Sequence, residues 1–408
     1  MRCDGRILLI GLVLIVHRQI AVADEWKVSG TLDQEVQYND NIALRAIPSS
    51  VFGYLLKPSF SANWNTAILG VGVTGRGDIR RYDDERWDCD NFSLGANQRY
   101  LQKRHVFSVS GEYSKRCTYS QQIEDTGILI PNNQTENFSV APQWNWQLTQ
   151  LDRLTLSPSY SETNYSRTQI GENLAPNVSY RNNKTFSINL SENHDWNRRL
   201  STNSGLFYSN TDFTSAGSSF NQSMVGFQLG GHYAISREWS ADASGGLRWV
   251  QSPYASTNTG GSDSPLLAEV GNLDLAYKGR YMDYSLSYSR SVNPSAYGQL
   301  YDYSMVGMKF LYRITKQLSL TLNGSRSENR SIGQSEFQAA RNRIYYSAST
   351  GVTWNFAKEW RLSASYMYRR QEYPDVSSQT DNAFSSTRDS NAIMFNLNYN
   401  WDGLRDSL

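Results

Sequence analysis

Histidine, cysteine and carboxylate side chains are the groups best able to do chemistry, and this sequence does not group them. Beyond residue 23 the histidines are His105, His194 and His232, which lie far apart along the chain. An acid–base enzyme needs such a histidine beside a carboxylate or a nucleophile. No stretch has the ligand spacing of a metal site or the pattern of a phosphate-binding loop. The sequence therefore predicts neither an enzyme nor a bound cofactor, and we interpret the histidines as solvated residues near short turns.

Two cysteines, Cys89 and Cys117, flank a single predicted hairpin that turns near Gln102 and Lys103. Both lie at the outer end of that hairpin. An exported protein matures in an oxidising compartment, so we predict a disulfide, provided that the two Cα atoms come close enough. Simple strand register leaves the cysteines one position out of alignment, which requires the chain to bend. Two free thiols are the alternative.

Charged residues within the strand-like segments carry a second signal. Seven of them lie at the same alternating positions as the polar residues of their segments, and therefore on the same face of the predicted strands: Lys57, Asp242, Arg248, Asp274, Lys278, Asp283 and Arg361. Hydrocarbon cannot hold such charges, so we predict that all seven line an aqueous lumen. Their mixed signs, among many hydroxyl groups, indicate weak ion selectivity and passage of neutral sugars. Structural pairing between inward neighbours is an alternative role that is compatible with the first.

The segments that position these residues alternate with a period of two. Residues 391–401, NAIMFNLNYNW, end with an apolar residue at every second position and asparagine between them. Successive side chains of a strand point to opposite faces, and the same alternation recurs along the chain with Ser, Thr, Asn and Gly on the polar face. Short polar links alternate with longer ones rich in Gly, Ser, Asn and Asp. This layout predicts an all-β, antiparallel up-and-down transmembrane barrel of about 18 strands (16–18), with short periplasmic turns and long extracellular loops.

The composition distinguishes this barrel from a secreted β-sandwich, which also alternates apolar and polar residues. Hydrophobic residues make up only 39% of the chain, whereas aromatic residues reach 13%, with 26 Tyr and 11 Trp. The aromatic residues concentrate at both ends of the predicted strands, as in the girdles of membrane barrels. We therefore predict a location in the outer membrane of a Gram-negative bacterium, with lipid, lipopolysaccharide and the barrel-assembly machinery as partners.

The N-terminal segment has the features of a secretory leader. Basic residues precede the apolar run ILLIGLVLIV, and Ala21, Val22 and Ala23 form a cleavage pattern. We predict a signal peptide at residues 1–23, the barrel at 24–401 and a short periplasmic tail at 402–408. Without the first 23 residues the chain carries 36 basic and 37 acidic residues. This balance argues against nucleic-acid binding, which needs a basic surplus.

One local motif goes beyond the general pattern. Residues 35–41, EVQYNDN, contain Glu35, Tyr38, Asn39, Asp40 and Asn41, and a strand with an internal proline follows. In this motif the chain resembles the putative β-barrel porin type 2 family and the outer-membrane barrels associated with exosortase and exopolysaccharide systems. Elsewhere the resemblance is architectural. The oxygens of residues 38–41 would suit Ca²⁺, but a turn at the strand tip is the interpretation that we prefer.

These observations predict a passive channel for hydrophilic solutes. The family resemblance implies a link to exopolysaccharide export, with polysaccharide or secretion-system components as partners. The alternative is a non-conducting scaffold that binds a surface partner through its extracellular loops.

Overall fold

The computed structural model describes residues 25–45, 47–117, 134–166, 181–215, 218–252, 265–294, 300–332, 342–374 and 387–407. The predicted signal peptide lies outside these residues. Apart from one 3-10 turn, Glu85–Trp87, every regular element in the described ranges is a strand. The strands are β1 (Glu25–Asn39), β2 (Val51–Asn65), β3 (Leu69–Tyr82), β4 (Cys89–Leu101), β5 (His105–Cys117), β6 (Gln134–Gln147), β7 (Asp152–Tyr165), β8 (Asn182–Asp195), β9 (Leu200–Ser215), β10 (Ser218–Ala234), β11 (Trp239–Gln251), β12 (Leu266–Lys278), β13 (Met282–Pro294), β14 (Leu300–Arg313), β15 (Leu318–Ile332), β16 (Arg343–Trp354), β17 (Trp360–Glu372) and β18 (Thr387–Ser407).

The 18 strands form one closed antiparallel barrel. Each strand pairs with the next one along the chain, and β1 also pairs with β18, which closes the sheet. Closure leaves no strand edge with unpaired backbone groups, as a barrel surrounded by hydrocarbon requires. The predicted fold class is therefore confirmed. No helix in the described ranges has the length and apolar character to cross a membrane.

Alternation places most of the apolar residues of the strands on the outside of the barrel. On β18 the outward residues are those that the sequence pattern indicates, and Phe395 is 55% exposed. Aromatic side chains contact one another on this outer surface near the short turns, with ring centroids 5.0 Å apart for Trp239 and Tyr277 and 4.8 Å apart for Trp360 and Tyr399. Amphipathic rings of this kind suit the boundary between hydrocarbon and lipid headgroups.

The two ends of the barrel differ in their connections. Short links of three to five residues join β2 to β3 and the following pairs at one end, which we call the short-turn end. At the opposite end, the loop end, the connections include residues 40–50 between β1 and β2 and residues 83–88 between β3 and β4. The 3-10 turn lies in the second of these, where Asp84 accepts a hydrogen bond from the Arg86 guanidinium. This bond lowers the pKa of the Asp84 carboxyl.

The C-terminal residues correct one prediction. Instead of a separate tail at 402–408, residues 402–407 continue β18 and pair with the start of β1, from Val28–Leu404 to Glu25–Ser407. A β-bulge makes this possible, because Val28 pairs with Leu404 while Gly30 pairs with Trp401. Two residues of β18 thus face one of β1, and Gly403 takes up the extra length at a φ of 82°. The apolar alternation is interrupted by the bulge, and the sequence pattern therefore ended at Trp401.

Candidate transport channel

The inward face of the barrel carries all seven charged residues that the sequence pattern assigned to a lumen. Five of them lie on three adjacent strands, β11 to β13. Asp242 and Asp274 are ladder neighbours, as are Lys278 and Asp283. Lys57 on β2 and Arg361 on β17 lie apart from this group. The structure therefore places these residues around the wall and does not gather them into one site.

Most of these charges contact an inward neighbour. The Lys57 ammonium lies 2.7 Å from the Glu35 carboxylate, and the Asp283 carboxylate is paired with Arg313. Asp242 is bonded to the ring of His232 at 2.8 Å, and Arg361 donates to the side-chain oxygen of Asn355 at 2.9 Å. Such pairs on a solvated wall contribute little stability, but they fix the positions of the charges that a passing solute meets.

Solvent access along the inward face changes towards the loop end. Near the short turns the Asp242 side chain is 53% exposed. At the loop end the inward side chains of most strands are buried, and they form a packed rim: Leu55, Tyr82, Met224, Val250, Ala268, Asn329, Arg343, Gln371 and Ala392. The lumen is therefore accessible at the short-turn end and narrowed at the loop end.

Part of this narrowing comes from residues 41–45 of the β1–β2 connection, which we call the inner segment. Ile42 and Leu44 are 3% and 1% exposed. Ile42 packs in one cluster with inward residues of β2, β3 and β4, including Val51, Leu55 and Tyr82. The connection therefore folds against the inside of the wall, although Ile47 in the same connection is 85% exposed.

Two inward arginines hold the inner segment from the other side. Arg369 on β17 donates to the Ile42 carbonyl at 3.4 Å and to the Ser390 hydroxyl at 3.0 Å. Arg388 on β18 donates to the Leu44 carbonyl at 3.2 Å and stacks on the Tyr373 ring at 4.9 Å. Burial raises the pKa of the Tyr373 phenol, which keeps it neutral beside these cations.

A third inward arginine, which is fully buried, lies on the neighbouring strand. Arg343 on β16 is 1% exposed, and Asn329, with its amide oxygen turned towards it, accepts from Nε and Nη2 at 3.0 Å. The sequence analysis did not select Arg343, Arg369 or Arg388. The alternation of the strand would have placed Arg369 on the inward face, because it lies an even number of residues after Arg361 on the same strand. Arg343 and Arg369 are buried and Arg388 is half-buried at the packed rim, an arrangement that strand periodicity does not describe.

The motif at residues 35–41 forms the tip of β1 and the turn that leads into the inner segment. Asp40 accepts from the backbone and the side chain of Asn391, both at 2.7 Å. Asn39 accepts from the Asn41 backbone at 2.9 Å and from the Ser390 hydroxyl at 3.0 Å. Tyr38 points outward and is 48% exposed. These bonds tie β1 to β18 at the loop end, and the side chains serve a turn. Within the described ranges no group of His, Cys, Asp or Glu has a metal-binding arrangement.

The three histidines occupy separate positions. His105 accepts a hydrogen bond from the Trp144 indole at 3.1 Å in the outward aromatic girdle, and His194 contacts Asp152 at 2.5 Å near the short turns. His232 alone lies on the inward face. They do not converge on one site.

A disulfide joins Cys89 and Cys117, whose Cα atoms are 6.2 Å apart. The β4–β5 ladder ends at the pair Phe92–Lys115, so the chain is free to bend beyond it. Asn91 assists this bend by accepting from the Cys117 backbone at 2.7 Å. The bond encloses a sequence separation of 28 residues at the loop end, and both cysteines pack in the same cluster as Ile42.

We expect Cys89 and Cys117 to resist alkylation in denaturant until a reductant is added. Closing a loop of 28 residues removes about 3.5 kcal/mol of chain entropy from the unfolded state in the entropy model. The Cys89→Ser/Cys117→Ser variant should therefore unfold at a lower temperature, while the barrel still forms. Peptide mapping by mass spectrometry measures the first point. Equal alkylation of both residues with and without reductant would contradict it.

No protein-family model and no curated protein matches the chain, but solved structures share its fold. The siderophore receptor PirA from Acinetobacter baumannii is 8% identical over 94% of this chain and 81% of its own, with a TM-score of 0.53. A mutant of the ferric enterobactin receptor PfeA from Pseudomonas aeruginosa is 11% identical over 92% and 80%, with a TM-score of 0.52. The outer membrane protein OpdK from Pseudomonas aeruginosa is 9% identical over 92% and 99%, with a TM-score of 0.47.

At these identities the likeness concerns the fold alone. The closed barrel, the apolar outer face and the polar inner face define the class of this chain, which is an outer-membrane β-barrel protein. The resemblance to exosortase-associated barrels stays a prediction.

Proposed function

We propose that this barrel is a passive channel for hydrophilic solutes. The observation that carries the proposal is the accessible polar wall at the short-turn half of the lumen, where inward amides, hydroxyls and paired charges face solvent. A barrel of this strand number is wide enough for an aqueous pore unless it is blocked from within. Solutes would diffuse along this wall, and the rim and the inner segment would set the size limit at the loop end.

Incorporation of the purified protein into planar bilayers tests the proposal. We expect discrete openings. Small neutral polymers should enter the pore and lower its conductance, whereas polymers that are too large to enter at the loop end should have no effect when they are added on the side of that end. A heat-denatured sample is the control. Absence of openings from properly folded barrels would overturn the channel.

The packed rim favours a second candidate, a non-conducting scaffold that acts through its loops. In this case the inner segment and the buried arginines would seal the bore permanently. Folded barrels that never open would support this candidate. Export of a polysaccharide is a narrower form of the channel proposal, supported by the resemblance at residues 35–41. It is tested by measuring surface polysaccharide in a strain that lacks the protein.

A further inference from the structure

A recess in the inward wall lies beside Arg248. It has a volume of about 540 Å³, within the range of small-molecule sites. Ladder register places Asn189, Phe207, Gly226 and Arg248 in one row across β8 to β11. Four ladder pairs nearer the short turns, a second row holds Asn203, Gly230, Ser244 and Asn272. Glycines in both rows keep the wall open between the polar side chains.

Arg248 lies flat against this wall. Its guanidinium carbon is 4.6 Å from the centroid of the Phe207 ring, a distance typical of a cation–π contact. A Cβ on Gly226 would come within 2.8 Å of the Arg248 Cγ, so only glycine leaves room for this placement. Among the hydrogen bonds and ion pairs of the described residues, none involves the Arg248 guanidinium, so its N–H groups are free to donate to a solute.

The neighbouring carboxamides also make no hydrogen bond to another described residue. Asn189, Asn203 and Asn272 are exposed to the lumen, and their side chains bond to no other described residue. Further towards the loop end, Gln222 is 1% exposed and both polar atoms of its carboxamide lack a partner, as does the hydroxyl of the buried Ser209. Buried polar atoms without a partner are costly, and a ligand or ordered water would relieve that cost.

The chemistry of these groups selects the ligand. A carboxamide offers both donors and an acceptor, whereas a carboxylate or phosphate only accepts. An anion would accept from Arg248 and from the carboxamide N–H groups, but it would offer no donor to the carboxamide oxygens of the three asparagines. Hydroxyl groups donate and accept, and so they can match the amides and the guanidinium together.

We propose that the recess at Arg248 is a binding subsite for a neutral oligosaccharide, in which Arg248 and the asparagines hydrogen-bond the sugar hydroxyls. The subsite would give the channel a preference for saccharides over other solutes of similar size. This inference rests on the proposed channel for its physiological role, but binding itself does not require conduction.

The test uses maltohexaose as a neutral probe and trigalacturonate as an acidic one. Calorimetry on the full chain in a sugar-free detergent measures binding, and bilayer recording measures transient blockade. We expect maltohexaose to bind and to block. The Arg248→Met variant, which keeps an unbranched side chain but loses the donors, should weaken binding about tenfold, as expected for loss of a hydrogen bond to a charged group. Arg361→Met is the matched control, because Arg361 is inward but outside the recess, and it should bind like the unaltered protein.

The outcomes separate this inference from the channel. A conducting barrel that neither binds nor is blocked by maltohexaose would overturn the subsite and leave the channel intact. Calorimetric binding that depends on Arg248 in a barrel that never opens would support the subsite and overturn the channel. Binding of trigalacturonate alone, or equal loss in both arginine variants, would also overturn the subsite.

Discussion

Replacing both Ile42 and Leu44 with serine is expected to raise the single-channel conductance by roughly twofold or more, because the constriction limits flow through a pore. Both side chains are buried against the inside of the wall. Large-to-small replacement of such residues costs about 2–5 kcal/mol each, and buried serine hydroxyls would add a desolvation cost. The inner segment should therefore detach from β2 and from Arg369 and Arg388, while the strands on either side keep their ladders.

Ile47→Ser is the matched control for this prediction. Ile47 belongs to the same connection but is 85% exposed, so its replacement should leave both conductance and thermal stability unchanged. Bilayer recording gives the conductance, and gel mobility with and without boiling confirms that each variant is folded. A folded Ile42/Leu44 variant with an unaltered conductance would show that the inner segment does not limit the pore.

Gly403→Val is expected to cause the second large effect, a marked loss of thermal stability and of the folded fraction. Gly403 has a φ of 82°, which costs a residue with a side chain about 1–2 kcal/mol. Its Cβ would also lie 1.3 Å from the Val28 carbonyl oxygen, so the bulge cannot persist. The ladder between β1 and β18, which closes the barrel, should then open from the bulge to Glu25.

Gly245→Ala is the control, because a Cβ at that outward position meets nothing within 4 Å. The measurement is the temperature at which the folded form disappears from unboiled gels. Equal temperatures for the Gly403 and Gly245 variants would indicate that residues 402–407 do not contribute to closure.

Strand periodicity predicted the barrel because the membrane imposes it locally. Each strand must present apolar groups to lipid and polar groups to the lumen, so residues such as Phe395 and Asn396 reveal their faces without knowledge of the rest of the chain. The apolar–polar alternation no longer marks a strand beyond the membrane, where the outward face contacts no lipid. On β15, Arg326, Glu328 and Arg330 are on the outward face, yet the ladder continues to Ile332, so apolar alternation alone would end this strand too early.

The rim and the inner segment were not predictable in the same way. Ile42 and Leu44 lie in a connection where no periodicity applies, and they are buried by inward residues of β2 to β4 and of β17 and β18 that are distant in sequence. Arg369 and Arg388 both donate to backbone carbonyls of this connection, and no strand pattern predicts such contacts. The lumen charges were predictable as a set, because their parity is local, but their pairing required the register of the closed barrel.

We expect lipid to surround this barrel and water to fill its accessible lumen. The test is to attach a spin label to one introduced cysteine at a time, at positions 394–399 of β18, with the protein in lipid vesicles. Only the introduced cysteine is labelled, because Cys89 and Cys117 do not react while they form a disulfide. Labels at 395, 397 and 399 should be relaxed by oxygen dissolved in lipid, and labels at 394, 396 and 398 by a water-soluble nickel chelate. Equal accessibility to both reagents at adjacent positions would contradict it.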